Sequence, residues 1–197
     1  MLYAMVHSST IPTFISMEQT ALLKLNQWQD YIIVTSIFAE IIAHFDWGGA
    51  HTIVSNTSFV IEDDCGSISI GKDFTMEGGE IAATEGEAIT IGKDCMFSSD
   101  VELRNGDSHV ILVKETGKRT NYAKPITIGN HVWLTAHVRV LKGSVVPDES
   151  IIGNSSVVSG KFYTPNAVLA GNPAKQVKTG ITWNRFRDKY IKDSNGK

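Results

Sequence analysis

The chain has 197 residues, of which 42% are hydrophobic and 20% are charged, and this composition supports one domain with an ordinary core. A formal net charge of −3 gives no basic footprint, so a nucleic-acid-binding function is not expected. We predict that the two cysteines, Cys65 and Cys95, are buried thiols, which fits a reducing compartment. The first residues do not read as a signal peptide, so we expect a cytoplasmic protein without membrane association.

Residues 1–50 show no internal repeat, and we predict that they form an N-terminal segment that caps the repeat domain. Their most apolar run is Ile32 to Phe45, which is too short to cross a bilayer and contains Glu40 and His44. We interpret this run as a capping helix. An interfacial membrane helix is the alternative, although flanking Lys and Arg residues are scarce.

A repeat begins near residue 51 in loose phase and then becomes clear. The seven-residue phrases that recur are ISIGKDF at 68–74, ITIGKDC at 89–95 and ITIGNHV at 126–132. If one coil takes about 18 residues, as a helix of hexapeptides implies, the first interval of 21 residues contains a short insertion near Gly78 to Glu87. We read the second interval of 37 residues as two coils plus one residue, with the surplus inside Gly106 to Pro125.

From Ile128 the chain reads as six consecutive hexapeptides. The first residue of each is aliphatic: Ile128, Leu134, Val140, Val146, Ile152 and Val158. The fifth is mostly small or β-branched, as in Val132, Val138, Ser144, Ser150 and Ser156, with Phe162 as the exception. Strands repeat every two residues and helices every 3.6, so a period of six predicts a short strand, a corner and a further strand. We attribute the Gly after Ile128 and after Ile152 to tight bends at these corners. A β-sandwich is the alternative, but its strands alternate with period two.

Two segments depart from this phase. Gly106 to Pro125 is charged and irregular, and we predict a loop pushed out from a corner, where function tends to lie. Ile181 to Ile191 follows the closing AGNPAK phrase at 170–175, and we predict a short C-terminal helix there. The predicted organisation is therefore a capping segment at 1–50, a β-helix domain at 51–178 with the loop 106–125, and a C-terminal tail at 179–197.

The hexapeptide run, the Asp-x-His at 107–109, the IGNHVW phrase at 128–133 and the AGNPAK phrase occur in an order that resembles the left-handed β-helix acyltransferases. The resemblance covers about 68–183 and is closest to sugar and polysaccharide O-acetyltransferases of the galactoside, maltose and capsule type. It implies an all-β, left-handed parallel β-helix of about six coils that forms a homotrimer. It also implies transfer of an acetyl group from acetyl-CoA to a hydroxyl of a sugar or polysaccharide, with no metal.

The resemblance assigns roles to individual residues. The family's general base is a His in this loop, 24 residues before the Trp of the Val-Trp phrase, and His109 has that spacing from Trp133. An imidazole with a pKa near 6.5 can take a hydroxyl proton near neutral pH. We expect Asp107 either to orient the imidazole or to be an ordinary turn residue. The positions carried over for the coenzyme are Trp133, Ala136, Asn154, Ser159, Gly160, Lys175 and Lys178. The family has a Lys directly after the position of Ser159, where this chain has Gly160, so one phosphate contact is in doubt.

The sequence leaves three alternatives to an O-acetyltransferase. His109, His131 and His137 could bind zinc, as three His residues do in the γ-class carbonic anhydrases. The spacing of six between His131 and His137 instead places them on successive faces of one coil. N-acetylation of an amino sugar uses the same scaffold and coenzyme. A non-catalytic assembly module is the alternative outside enzymes. No acetyl-enzyme is expected, because no cysteine lies in the motif region after Cys95.

Overall fold

The computed structural model describes residues 4–6, 32–34, 45–47, 53–62 and 66–186, with backbone alone in the first three ranges. All regular elements in these ranges are strands. Before the first coil come β1 (Ala4–Val6) and β2 (Ile32–Val34). The first two coils contain β3 (Phe45–Trp47), β4 (Ile53–Val54), β5 (Thr57–Ile61), β6 (Ser67–Ile70), β7 (Thr75–Met76) and β8 (Gly79–Ala83). The next two contain β9 (Ala88–Ile91), β10 (Met96–Phe97), β11 (Val101–Arg104), β12 (Ile126–Ile128), β13 (Trp133–Leu134) and β14 (Arg139–Leu141). The last contain β15 (Val145–Val146), β16 (Ile151–Ile152), β17 (Val157–Val158), β18 (Ala167–Gly171) and β19 (Ala174–Thr179).

Every third strand lies in the same sheet, so the coils build a three-sided prism in which each face is a parallel β-sheet. The first face contains β3, β6, β9, β12 and β15, and the third contains β5, β8, β11, β14 and β17. The second contains β4, β7, β10, β13, β16 and β18, and the antiparallel strand β19 closes its edge. The predicted parallel β-helix is therefore confirmed, and β18 lies in the sixth coil.

The core is the predicted ladder of aliphatic side chains. The first residues of the hexapeptides, Ile128, Leu134, Val140, Val146, Ile152 and Val158, are each at most 1% exposed. Burial of one such side chain stabilises the fold by roughly 1.5–3 kcal/mol. The fifth-position serines are also fully buried, and each finds a hydrogen bond, as when the Ser144 hydroxyl donates to the Val158 carbonyl at 3.0 Å. Cys95, at an equivalent fifth position, is buried as predicted, whereas Cys65 lies outside the described residues.

The corners are built differently from our expectation. The bend between the first and second faces is made by residues with left-handed backbone, namely Asp73, Asp94, His131 and Glu149, with φ between 51° and 62°. Two positions before the first three of these residues lie Gly71, Gly92 and Gly129, and none of these glycines has a positive φ. A Cβ added at Gly92 would instead lie 2.5 Å from the Gly129 carbonyl oxygen of the next coil. These glycines are thus required by the close approach of stacked coils, and their assignment to the bend itself was wrong.

The inserted loop accounts for all of the surplus in the second interval of the repeat. Ile126 pairs directly with Ile89, so the 37 residues between the phrases contain one coil and not two. The prediction of two coils plus one residue was wrong because an insertion of nearly one coil's length does not disturb the apparent phase. The first interval is as predicted, since Ile68 pairs with Ile89 and a turn lies at 84–87.

The two ends of the chain differ from the predicted helices. β2 is a strand that pairs with β1, so a helix beginning at Ile32 is wrong, and residues 35–44 lie outside the described ranges. β3 pairs with β6, so the first face begins before residue 51. Residues 181–186 contain no helix, and 187–191 are not described. Across the described residues we find no helix with the length and hydrophobicity needed to span a membrane.

Candidate active site

The inserted loop (106–125) connects β11 on the third face to β12 on the first face. Asn105, fully buried at its base, accepts a hydrogen bond from the Thr84 amide at 2.8 Å and donates one to the Glu87 carbonyl at 3.0 Å. Within the loop, Leu112 and Arg119 form an antiparallel bridge. The loop is therefore fixed to the coil beneath it and folded back on itself.

Asn121 organises the part of the loop that contains the candidate base. Its buried side chain accepts from the Ile111 amide at 2.7 Å. Its Nδ2 group donates to the Asp107 carboxylate at 2.8 Å and to the His109 backbone carbonyl at 2.7 Å. One amide side chain thus binds the backbone at His109 and Ile111 and the side chain of Asp107.

His109 itself is exposed. Among the described residues, no hydrogen bond or ion pair involves its imidazole ring. Val110, Ile111 and Leu112, which follow it, are each more than half exposed. The ring nitrogens are therefore available to a ligand, and an aliphatic surface lies next to them.

The Asp107 carboxylate contacts two side chains, and neither of them is that of His109. Its carboxylate pairs with the Lys142 ammonium and accepts from Asn121. These two contacts, the one with Lys142 above all, lower the pKa of Asp107 below its ordinary value. Within the described chain, no hydrogen bond joins the carboxylate to the His109 ring. Asp107 therefore secures the loop and does not hold the imidazole tautomer in this structure.

Trp133 lies on the outer side of the second face, half-buried, between Met96 in the coil below and Ile151 in the coil above. Its indole Nε1 donates to the Ser98 hydroxyl at 3.4 Å. The ring of Trp183 lies 6.0 Å away, centroid to centroid, on the other side. Trp133 faces outward, as predicted for the sixth position of a hexapeptide.

The other carried-over positions fall at three places on the prism. Ala136 and Asn154 stack at the corner between the second and third faces, where the Ser155 amide donates to the Ala136 carbonyl at 3.0 Å. Lys175 and Lys178 are exposed on β19, at the edge of the second face. Separately, Ser159 and Gly160 follow β17, where the third face turns toward the first.

One chain does not bring all these residues together. The inserted loop leaves the prism at the corner between its third and first faces, and this corner is opposite the second face, which carries Trp133. Within one chain, His109 and Trp133 therefore belong to opposite sides of the prism.

His131 and His137 occupy different corners, at the two ends of β13. The Nδ1 atom of His131 lies 2.6 Å from the Asp94 carboxylate, and that of His137 lies 2.7 Å from the Asp100 carboxylate. Each ring is bound to the coil below, so the two do not converge with His109 on one point. The described residues contain no group of three ligating side chains that could hold a metal ion.

Four further residues near these positions were not predicted: Asn121, Lys142, Trp183 and Arg185. Asn121 and Lys142 interact with Asp107 over 14 and 35 residues of chain, so no local pattern identifies them. Trp183 and Arg185 lie in the predicted C-terminal helix, where only their aromatic and basic character was visible.

Comparison with known proteins gives related acetyltransferases, although no family model matches the chain. A polysialic acid O-acetyltransferase of Neisseria meningitidis is 45% identical over 125 residues, which are 64% of this chain and 58% of that protein. The chain therefore spans somewhat more than half of that relative. The crystal structure of the polysialic acid O-acetyltransferase OatWY superposes with a TM-score of 0.70 at 39% identity, covering 73% of this chain and 67% of that one. A galactoside acetyltransferase in complex with coenzyme A superposes with a TM-score of 0.50 at 28% identity, covering 71% and 70%.

These likenesses agree with the three-faced coil and the buried hexapeptide ladder. The solved relatives are left-handed β-helix acetyltransferases, and the identity to one of them extends over two thirds of its length. The chain belongs to the hexapeptide-repeat, left-handed β-helix acyltransferase family.

Proposed function

We propose that the protein transfers an acetyl group from acetyl-CoA to a hydroxyl of a sugar unit in a polysaccharide of the capsule, O-antigen or exopolysaccharide type. The observation that carries this proposal is the exposed His109 ring, which has no hydrogen-bond partner among the described residues while Asn121 holds its backbone. The names of the relatives support the reaction and the acceptor class, since two of those compared are polysialic acid O-acetyltransferases.

The reaction is a direct attack with His109 as general base. A ring nitrogen of His109 takes the proton of the acceptor hydroxyl as its oxygen bonds to the thioester carbonyl carbon. The tetrahedral intermediate collapses, the carbon–sulfur bond breaks, and the imidazolium returns its proton to the leaving thiolate. The products are the O-acetyl sugar and free CoA. A base in this position typically contributes about 10²–10⁴-fold to the rate.

A covalent acetyl-cysteine is not part of this proposal. Cys95, the one cysteine in the described residues, is fully buried, and burial raises the pKa of its thiol to about 12. The thiolate is the nucleophilic form of cysteine. Cys95 therefore has neither access to the substrate nor a useful thiolate population near neutral pH.

The proposed site lies between two chains of a homotrimer. Within one chain, the loop that contains His109 and the face that carries Trp133 are on opposite sides of the prism. The aliphatic run Val110 to Leu112 beside His109 is exposed, and an exposed apolar patch often marks an interface. A neighbouring second face, with the apolar column that includes Met96, Trp133 and Ile151, would cover this run.

The residues of the second and third faces suit an extended coenzyme. A Cβ added at Gly160 would meet no atom within 4 Å, so the surface there is open. Lys175 and Lys178 are exposed, and no ion pair with another described residue involves their ammonium groups. Flexible point charges of this kind suit phosphate groups. Since acetyl-CoA is a cytoplasmic metabolite, we place the reaction in the cytoplasm.

A thiol-release assay with acetyl-CoA and a panel of sugar acceptors tests the proposed function. We expect release of CoA that depends on a hydroxyl acceptor, above slow background hydrolysis. Faster release with amino sugars than with their hydroxyl counterparts would favour N-acetylation. Absence of acetyl-CoA binding in a calorimetric titration would favour a non-catalytic assembly module.

Replacing Asn121 with alanine is expected to reduce turnover at least roughly tenfold, because small displacements of a catalytic group carry large rate penalties. The change removes the hydrogen bonds to Asp107, to the His109 carbonyl and to the Ile111 amide. Steady-state kinetics measures the effect. Lys118→Ala, which alters an exposed side chain of the same loop, is the matched control. Equal activity of the two variants would show that Asn121 does not position the base.

A further inference from the structure

The C-terminal clasp, residues 181–186, lies along the corner between the first and second faces and connects coils that are not neighbours. At its start, the Ile181 amide donates to the Asn166 carbonyl at 3.1 Å, and the Thr182 hydroxyl donates to Glu149 at 2.9 Å. Near its end, Arg185 reaches Asp73 in the second coil. Coils of a solenoid normally contact only the next coil, so the clasp adds contacts of a different kind.

Arg185 anchors the lower end of the clasp. Its guanidinium donates to the Asp94 carboxylate at 2.9 Å and to the Thr75 hydroxyl at 2.7 Å. It also donates to the backbone carbonyls of Cys95 at 2.8 Å and Asp73 at 3.0 Å. All three guanidinium nitrogens are therefore used, which fixes the direction of the chain at this point.

Trp183 is the second residue that anchors the clasp to the prism. It is 8% exposed, and its ring stacks on the His131 ring with centroids 4.1 Å apart and planes 13° apart. Two reciprocal contacts join the same residues. The Trp183 indole Nε1 donates to the His131 carbonyl at 2.8 Å, and the His131 Nε2 atom lies 3.1 Å from the Trp183 carbonyl. The position of the indole is thus set by stacking and by two polar contacts.

The indole of Trp183 lies directly beside that of Trp133. Their centroids are 6.0 Å apart and their planes are tilted by 45°. The Trp133 Nε1 atom donates a hydrogen bond to the Ser98 hydroxyl at 3.4 Å. The Trp133 ring therefore has two neighbours that restrict it, this long hydrogen bond and the aromatic ring that the clasp supplies.

We propose that the clasp is a positioning element of the acetyl-transfer site, in which Trp183 fixes the direction of the Trp133 indole and thereby shapes the wall that contacts the substrates. This inference rests on the proposed function, because that proposal makes Trp133 part of the wall of the acetyl-transfer site. Trp183 is a positioning residue, since its ring is covered by its own chain and acts through Trp133.

Circular dichroism and steady-state kinetics together test the proposal. Two indoles at this separation couple, so the native protein should show an exciton couplet. Trp183→Phe and Trp133→Phe should each abolish it, whereas Phe186→Ala, at a side chain 64% exposed in the same clasp, should leave it unchanged. For Trp183→Phe we expect KM for acetyl-CoA or the acceptor to rise about tenfold with little change in kcat, the signature of lost binding rather than lost chemistry. The pH profile of kcat should remain that of the native enzyme.

Arg185→Gln provides a second variant that leaves both indoles in place. We expect a weaker couplet and a raised KM, in the same direction as for Trp183→Phe. A native KM in either variant after loss of the couplet would overturn the proposal, because the indole would have moved without consequence. If no acceptor supports turnover at all, the proposed function fails. The role of the clasp is then tested by calorimetric titration with acetyl-CoA, and an unchanged acetyl-CoA affinity in Trp183→Phe would overturn the proposal that the clasp positions Trp133.

Discussion

Replacing His109 with alanine is expected to reduce turnover by about 10²–10⁴-fold, the usual contribution of a general base. Acetyl-CoA affinity should remain nearly native. The side chain is exposed, so its removal leaves the fold intact, and the backbone stays bound to Asn121. Steady-state rates and a calorimetric titration measure the two quantities separately.

Lys118→Ala is the control for this experiment, since Lys118 is an exposed side chain of the same inserted loop. We expect its turnover to stay within about twofold of the native value, as for an ordinary surface substitution. Native turnover in His109→Ala would end the assignment of the base. An equal loss in both variants would show that the effect is not specific to His109.

Replacing Gly79 with alanine is expected to prevent stable folding, with a loss of at least about 3 kcal/mol in the free energy of unfolding. Gly79 has φ of +138°, and an added Cβ would lie 1.9 Å from the Val101 carbonyl oxygen in the coil above. Stacked strands lie about 4.8 Å apart, so the backbone cannot move away without breaking the ladder. Thermal unfolding followed by circular dichroism measures the effect.

Gly117→Ala separates steric overlap from backbone strain. Gly117 also has a positive φ, +66°, but an added Cβ would meet no atom within 4 Å. The expected loss is therefore only about 1–2 kcal/mol, the ordinary cost of a left-handed residue. A melting temperature for Gly79→Ala equal to that of Gly117→Ala would contradict the close approach of the coils.

The aliphatic ladder could be predicted from sequence because it is a local property. Each hexapeptide buries its first residue, such as Leu134 or Ile152, inside the prism, and this requirement repeats along the chain independently of distant residues. The positions of the corner glycines could be recognised for the same reason. Their structural role could not be predicted, because the atom that a Cβ at Gly92 would meet belongs to the next coil.

The candidate site was less predictable than the fold. His109 was identified through the family's order of motifs, but its support by Asn121 was not, since this contact has no periodic signature. Some clasp contacts join residues more than 100 positions apart, as between Arg185 and Thr75. Such pairs are fixed by the folded coil and not by any local pattern. Asp107, for which the sequence allowed either orientation of His109 or a turn role, pairs with Lys142, which the next coil brings beside the loop.

Subunit mixing tests most directly whether the His109 of one chain works with the Trp133 of another. His109→Ala and Trp133→Ala chains, each with little activity alone, are co-expressed with different tags and purified as hybrids. A hybrid trimer that contains both kinds of chain has both native side chains at one of its three inter-chain sites, so about one third of native activity should return. Hybrids no more active than the two parent variants would show that the site does not lie between chains.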